Sequence, residues 1–134
     1  SRKGPIRVLL VEDDPQSRKL ILKCLDELAC QTEMAENGRE ALEILDHRSF
    51  DIIIMDWKMP IMDGLEATRE IRRREASTGR RIPIIGVTAM AMKGDQEQCR
   101  AAGMDDYIAK PLEIETFRHM FDHWIDGLSL PKDG

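Results

Sequence analysis

Five polar residues of this sequence stand at the ends of short apolar runs, and together they could handle a phosphoryl group. They are Glu12, Asp13, Asp56, Thr88 and Lys110. Three carboxylates brought together would repel one another unless a cation neutralised them. Mg²⁺ suits such a cluster because it binds a few carboxylate oxygens, keeps several waters and also binds phosphate oxygens. The residue types therefore predict a magnesium site that performs phosphoryl chemistry.

Asp56 is the strongest candidate for the nucleophile of that chemistry. It stands alone at the end of its apolar run, and Pro60 and Gly64 shape an open loop after it. A carboxylate nucleophile can form an aspartyl-phosphate. Lys110 would place a positive charge on one phosphoryl oxygen, and the Thr88 hydroxyl would donate to another.

Short apolar runs predict the strands that would bring these residues together. Runs at 6–11, 52–55 and 84–87 lack alternation, as strands covered by helices on both faces do, and a weaker run covers 107–109. The segment from Gln31 to Ala35 alternates instead, which favours an edge strand. Five strands are therefore expected.

Helical patterns fill the intervals between these strands. Start signals stand at Asp14-Pro15, Asn37-Gly38 and Asp63-Gly64, and a fourth helix is expected over about Gly94 to Ala102. The last helix carries an apolar stripe of Ile114, Phe117, Phe121, Trp124 and Leu128. This alternation predicts an α/β domain with a parallel sheet covered by helices, in which ligands bind beyond the carboxyl ends of the strands.

Composition and charge exclude several functional classes. The chain has 134 residues, 42% of them hydrophobic, and a formal net charge of -5. Because no broad basic field is available, we predict no direct binding to nucleic acid or to a membrane. The arginines at 72–74, 80 and 81 form a local basic run, which we interpret as a solvated loop.

Cysteine and histidine spacing indicates no second metal site. Three cysteines without CxxC spacing favour neither a disulfide framework nor a zinc site, and they fit a reducing cytoplasm. His119 and His123 lie one helical turn apart but lack a third ligand, so we expect them to be surface or packing residues. No apolar stretch approaches the length of a membrane span. We predict a cytoplasmic domain whose parent protein could be membrane-anchored.

Four motifs resemble, in family order, those of the response-regulator receiver domains of two-component signalling. They are Leu10-Val11-Glu12-Asp13-Asp14, the run DWKMPIMDG from Asp56 to Gly64, Val87-Thr88-Ala89 and Tyr107-Ile108-Ala109-Lys110-Pro111. The resemblance covers about residues 6–128, which leaves 1–5 as a linker or remnant and 129–134 as a tail. It implies a flavodoxin-like (βα)5 doubly wound sheet in strand order 2-1-3-4-5, with a cis Lys110-Pro111 peptide.

The resemblance also implies a role for each site residue. Asp56 would be the phosphoacceptor, and Mg²⁺ the cofactor. The metal would be held by Asp13, Asp56 and the backbone carbonyl of Lys58, with Glu12 acting through water. Lys110 would assist the transfer.

A set of response residues follows from the same resemblance. Thr88 and Tyr107 would respond to phosphorylation and change the surface of the fourth helix, the fifth strand and the fifth helix. Lys58 and Met90 would lie over the phosphoryl group and affect its lifetime.

The implied partner is a histidine kinase or a histidine phosphotransfer protein that supplies the phosphoryl group from phosphohistidine. The stretch 88–107 looks most like receivers of hybrid sensor histidine kinases, and a stand-alone response regulator is the alternative. A weak homodimer through the fourth helix, fifth strand and fifth helix is a further expectation.

Two other functions stay open at this point. One is an aspartyl-phosphate phosphatase like the haloacid dehalogenases, although those require a second aspartate where this chain has Lys58. The other is a pseudo-receiver that binds proteins without phosphorylation. The intact acidic pair, Thr88 and Lys110 argue against it.

Overall fold

The computed structural model describes residues 5–89 and 93–129, which alternate strand and helix five times. The strands are β1 (Arg7–Val11), β2 (Gln31–Ala35), β3 (Ile52–Asp56), β4 (Ile84–Thr88) and β5 (Asp106–Ala109). The helices are α1 (Pro15–Glu27), α2 (Gly38–Leu45), α3 (Gly64–Glu75), α4 (Lys93–Ala102) and α5 (Ile114–Ser129). The predicted α/β class is confirmed.

The five strands form one parallel sheet in the order β2-β1-β3-β4-β5. Both the predicted order and the edge position of β2 are confirmed. Because all five strands are parallel, their carboxyl ends lie along the same edge of the sheet. In the register of the central strands, Asp56 lies opposite Val87, and Thr88 lies opposite Ala109.

Helices cover both faces of the sheet and enclose two apolar clusters. On one face, Ile53 and Met55 of β3 pack in a cluster with α2, α3 and α4. On the other face, Ile52 and Ile54 pack in a cluster with α1 and α5. Every residue of β3 and β4 is buried, which explains why their sequences do not alternate.

The three predicted helix starts are confirmed by their caps. Each capping side chain accepts a hydrogen bond of 2.9 Å from the backbone N–H three residues later, which satisfies one of the free donors of the first turn. The pairs are Asp14 with Ser17, Asn37 with Glu40, and Asp63 with Glu66. The hydrogen bond from Ser17 lowers the pKa of Asp14.

The basic run is not a solvated loop throughout, which corrects the sequence interpretation. Arg72 lies in the last turn of α3, and only 13% of its side chain is exposed. Its guanidinium donates to the carbonyls of Gly103 and Ile82 and to the carboxylates of Glu75 and Asp105, at 2.7–2.9 Å. Burial of the guanidinium is possible because these four partners satisfy its donors.

The predicted apolar stripe of α5 is partly wrong. Phe117 and Phe121 are buried and stack on each other with ring centroids 5.7 Å apart, and Trp124 is half-buried. Ile114 is exposed instead, because it is the first residue of the helix and lies outside the cluster that holds Phe117. The side chain of Leu128 lies outside the described part of the structure. Within 5–89 and 93–129, no helix has the length and apolar character to cross a bilayer.

Candidate functional site

Three carboxylates meet at the carboxyl edge of the sheet. Glu12 and Asp13 directly follow β1, and Asp56 is the last residue of β3, the strand that pairs with β1. Each offers a carboxylate oxygen within 4.8 Å of the others. Asp13 is exposed, whereas Glu12 and Asp56 are buried, so the cluster opens to solvent on the Asp13 side.

Glu12 is buried, and only one of its two carboxylate oxygens accepts a hydrogen bond among the described residues. Its Oε2 accepts the Asp14 backbone N–H at 3.1 Å, but Oε1 has no hydrogen-bond partner among the described residues. Burial, with a further contribution from the Asp56 carboxyl, raises the pKa of Glu12 to about 7. A buried carboxylate oxygen that accepts no hydrogen bond and lies beside two other acids fits a site for a divalent cation.

Lys110 provides the positive charge that the structure places at this cluster. Its ammonium Nζ lies 3.4 Å from Asp56 Oδ2 and 3.5 Å from Glu12 Oε1. Burial alone would lower the pKa of Lys110, but the two carboxylates outweigh it and the pKa is raised. Its backbone N–H donates to the Thr88 carbonyl at 2.7 Å, which fixes the residue after β5 to the end of β4.

Thr88 and Tyr107 lie at different distances from the carboxyl edge of the sheet. Thr88 is buried and ends β4 at the edge that carries the carboxylates. Tyr107 is half-buried and pairs with Gly86, further from that edge. A narrow cleft beside Tyr107 is lined by Cys99 and Met104 among others.

The contact between the Trp57 ring and the side chain of Lys58 was not predicted from the sequence. Trp57 is buried directly after Asp56, and the Lys58 ammonium lies over its indole ring, 4.7 Å from the centroid. This cation–π contact holds the charge on the aromatic face. The only sequence signal for this contact is that Trp57 and Lys58 are adjacent. Met90, the other residue assigned to the phosphoryl group, lies outside the described residues.

Two glycines fix the loop that follows Asp56. A Cβ on Gly64 would lie 2.1 Å from the Asp56 carbonyl oxygen, so no side chain fits there. The Gly64 N–H donates to the Trp57 carbonyl at 2.8 Å, and the Gly38 N–H donates to the Met62 carbonyl at 2.9 Å. The start of α2 and the start of α3 thus hold the loop from both sides.

Sequence comparison identifies the family of this chain. Residues 8–122 match the profile of the response regulator receiver domain. The chain belongs to this family. The match spans β1 to most of α5, and therefore includes every residue of the candidate site.

Relatives of this receiver domain are regions of larger signalling proteins. It is 38% identical over 121 residues to hybrid signal transduction histidine kinase G of Dictyostelium discoideum, covering 89% of this chain and 4% of that protein. It is also 38% identical over 120 residues to the signal transduction histidine-protein kinase BarA of Escherichia coli K12, covering 90% and 13%. This chain therefore spans a small part of these relatives.

Solved structures share the fold of this receiver domain over nearly its whole length. The receiver domain of the sensor histidine kinase PA1611 of Pseudomonas aeruginosa, with magnesium in its active-site cleft, is 39% identical with a TM-score of 0.81, covering 91% of this chain and 98% of that one. The co-crystal structure of the Saccharomyces cerevisiae phosphotransfer protein Ypd1 and the receiver domain of Ssk1 matches at 26% identity and a TM-score of 0.89, covering 96% and 94%. Receivers work with histidine kinases or phosphotransfer proteins.

Proposed function

We propose that this receiver domain accepts a phosphoryl group from a phosphohistidine onto Asp56 in a Mg²⁺-dependent reaction. The observation that carries the proposal is the position of Asp56. Its buried carboxylate belongs to the acidic cluster and lies 3.4 Å from the Lys110 ammonium. A nucleophile and the cation that would stabilise the transferring group are thus held side by side.

The reaction follows from the roles of the chain's own residues. An Asp56 carboxylate oxygen attacks phosphorus, and the bond between phosphorus and the donor's imidazole nitrogen breaks. The imidazole leaves with that electron pair, and an acyl phosphate remains on Asp56. Lys110 donates to a phosphoryl oxygen as it gathers charge, and Thr88 donates its hydroxyl to another.

The acidic cluster would hold the cofactor. Asp13, Asp56 and the Lys58 backbone carbonyl are the proposed direct ligands, and Glu12 the ligand that acts through water. When bound, Mg²⁺ supplies positive charge to the phosphoryl oxygens. Support comes from the buried Oε1 of Glu12, which accepts no hydrogen bond among the described residues, and from the magnesium in the cleft of the PA1611 receiver domain.

The parent protein is proposed to be a hybrid sensor histidine kinase, since the relatives named above are receiver regions of such kinases. The direct donor would be a histidine kinase or a histidine phosphotransfer protein. The pairing of Ypd1 with the Ssk1 receiver in one crystal structure supports the second class of donor.

The proposed switch links Thr88 to Tyr107. Phosphate on Asp56 would draw the Thr88 hydroxyl towards it, and Tyr107 would turn inward. That movement would reshape the surface of α4, β5 and α5. A weak homodimer through that surface is also proposed, and sedimentation of the phosphorylated domain would test it.

Intact mass after incubation with phosphoramidate, with and without Mg²⁺, tests the phosphoacceptor assignment. We expect one phosphate per chain in the presence of Mg²⁺, and none on Asp56→Asn. Asp14→Asn is the matched control, because it removes a nearby carboxylate while asparagine still caps α1. A full equivalent of phosphate on Asp56→Asn would refute the site. No phosphate on the wild type would favour a pseudo-receiver.

A further inference from the structure

Ile61 is the most exposed large apolar side chain of the described residues. It shows 75% of its surface to solvent, compared with 46% for Met34 and 41% for Ile114. It lies in the loop between β3 and α3, five residues after Asp56. A single exposed apolar side chain is ordinary on a protein surface, so exposure alone indicates nothing.

The backbone of Ile61 makes its exposure unusual. Its φ is +70°, in the left-handed region, and the Met62 N–H donates to the Pro60 carbonyl at 2.7 Å to close a three-residue γ-turn around it. This form of γ-turn is rare and strained, and a β-branched residue with positive φ is an outlier. Glycine or asparagine would adopt the same conformation at lower cost.

The turn is imposed by the fold, but the isoleucine is not. The Gly64 N–H to Trp57 carbonyl hydrogen bond closes the loop, and the Gly38 N–H holds the Met62 carbonyl beside the γ-turn. These two hydrogen bonds therefore oppose relaxation of the backbone around Ile61. Ile61 thus combines a strained backbone with an exposed side chain that buries little surface within the molecule. Strain of this kind persists at ligand clamps and binding sites.

Ile61 also lies within the area that a protein donor must cover. Gly64 lies beside the Asp56 carbonyl, whose oxygen a Cβ on Gly64 would meet, and Ile61 is three residues before Gly64. Its Cα is therefore at most about 15 Å from Asp56. A protein interface of ordinary size covers about 800 Å² on each partner, equivalent to a disc about 16 Å in radius. A donor centred on Asp56 would reach Ile61.

We propose that Ile61 is an apolar contact on which the phosphodonor protein docks while its phosphohistidine faces Asp56. The proposal rests on the phosphoacceptor function proposed above. The surface around the site includes apolar and acidic groups, because Pro60 and Ile61 are exposed in the loop after Asp56 and Asp13 is the exposed member of the carboxylate cluster. The matching donor surface carries apolar side chains next to its phosphohistidine. Small phosphodonors have no such surface and do not use Ile61.

Ile61→Asn separates docking from chemistry. A panel of purified phosphotransfer domains, each phosphorylated on histidine, is first tested with the wild type. The domain that transfers fastest is then used as the donor. We expect kcat/KM for transfer to fall at least tenfold through a raised KM, whereas the rate with phosphoramidate stays within twofold. Since asparagine tolerates positive φ, Tm should not fall. Met34→Asn, on the edge strand β2, is the matched control and should transfer at the wild-type rate.

Three results would overturn the docking proposal. The first is an unchanged kcat/KM for Ile61→Asn with the protein donor. The second is an equal loss for Met34→Asn, which would indicate a general effect of lost apolar surface. The third is a wild-type dimer that Ile61→Asn dissociates while transfer is preserved, because Ile61 would then contact a second copy. If neither phosphoramidate nor any phosphotransfer domain of the panel modifies the wild type, the phosphoacceptor function itself is refuted, and that result is distinct from a loss confined to Ile61→Asn.

Discussion

At the scale of single residues, the site has a deficit of positive charge. Glu12 and Asp56 are both buried, and the single ammonium of Lys110 lies within 3.5 Å of each. Asp13 adds a third carboxylate at the exposed side. When all three carboxylates are ionised, Lys110 neutralises only one of the three charges, so the remaining negative charge favours binding of a divalent ion.

These residues could be predicted from the sequence because each follows an apolar run, and parallel strands end at one edge. The strain at Ile61 could not be predicted, since it depends on a backbone angle that the loop closure imposes. The same holds for the Lys58 ammonium on the Trp57 ring, which depends on side-chain rotamers. The predicted roles of Thr88 and Tyr107 stay predictions.

We expect Asp13→Asn to remove most of the stabilisation of the fold by Mg²⁺. A ligand bound only by the native state at ten times its Kd adds about 1.4 kcal/mol, which corresponds to a rise in Tm of roughly 5 °C for a domain of this size. The variant should lose most of that rise. Without Mg²⁺ its Tm should equal or exceed the wild-type value, because one of three mutually repelling charges is gone.

Thermal unfolding with and without Mg²⁺ measures this effect. Asp14→Asn serves as the control, because Asp14 caps α1 through Ser17 and lies outside the carboxylate cluster. It should keep the full response to Mg²⁺. If Asp13→Asn responds to Mg²⁺ as strongly as the wild type, Asp13 is not a ligand.

At the scale of elements, strand and helix positions were predictable because burial on two faces and helix caps leave local signals. The hydrogen bonds that join α3 to the end of α4 and the start of β5 left no such signal. Arg72 joins them through Gly103 at the end of α4 and Asp105 before β5. The sequence shows a cluster of arginines but not the partners of each one. Arg72 and Arg73 are therefore adjacent and alike in sequence, yet Arg72 is mostly buried and Arg73 is exposed.

We expect Arg72→Met to lower the free energy of unfolding by about 3 kcal/mol, because it removes the mostly buried guanidinium that pairs with both the Glu75 and the Asp105 carboxylates. Arg73→Met is the matched control, since the Arg73 side chain is exposed and pairs only with Glu70 among the described residues. Its unfolding midpoint in urea should stay close to the wild-type value. Equal losses in the two variants would show that the buried network contributes nothing of its own.

At the scale of the whole molecule, each face of the sheet carries a tryptophan that can serve as a separate fluorescence reporter. Trp57 lies beside Asp56, in the cluster with α2, α3 and α4. Trp124 belongs to α5 on the opposite face, and its indole N–H donates to Asp106 Oδ2 at 3.0 Å. The other oxygen of Asp106 accepts the Tyr107 N–H at 2.9 Å. Trp124 is therefore tied to the start of β5, next to the proposed switch residue.

This arrangement predicts that Trp124 reports phosphorylation but not metal binding. In Trp57→Phe, Mg²⁺ alone should leave the emission unchanged, because the carboxylates lie at the opposite end of β5 from Asp106. Mg²⁺ with beryllofluoride, a phosphoryl mimic, should shift the Trp124 emission as Tyr107 and Asp106 move together. In the control, Trp124→Phe, Trp57 should respond to Mg²⁺ directly. If beryllofluoride leaves Trp124 unchanged while amide NMR shows a saturated site, the response stays within the loops around Asp56 and the proposed switch is wrong.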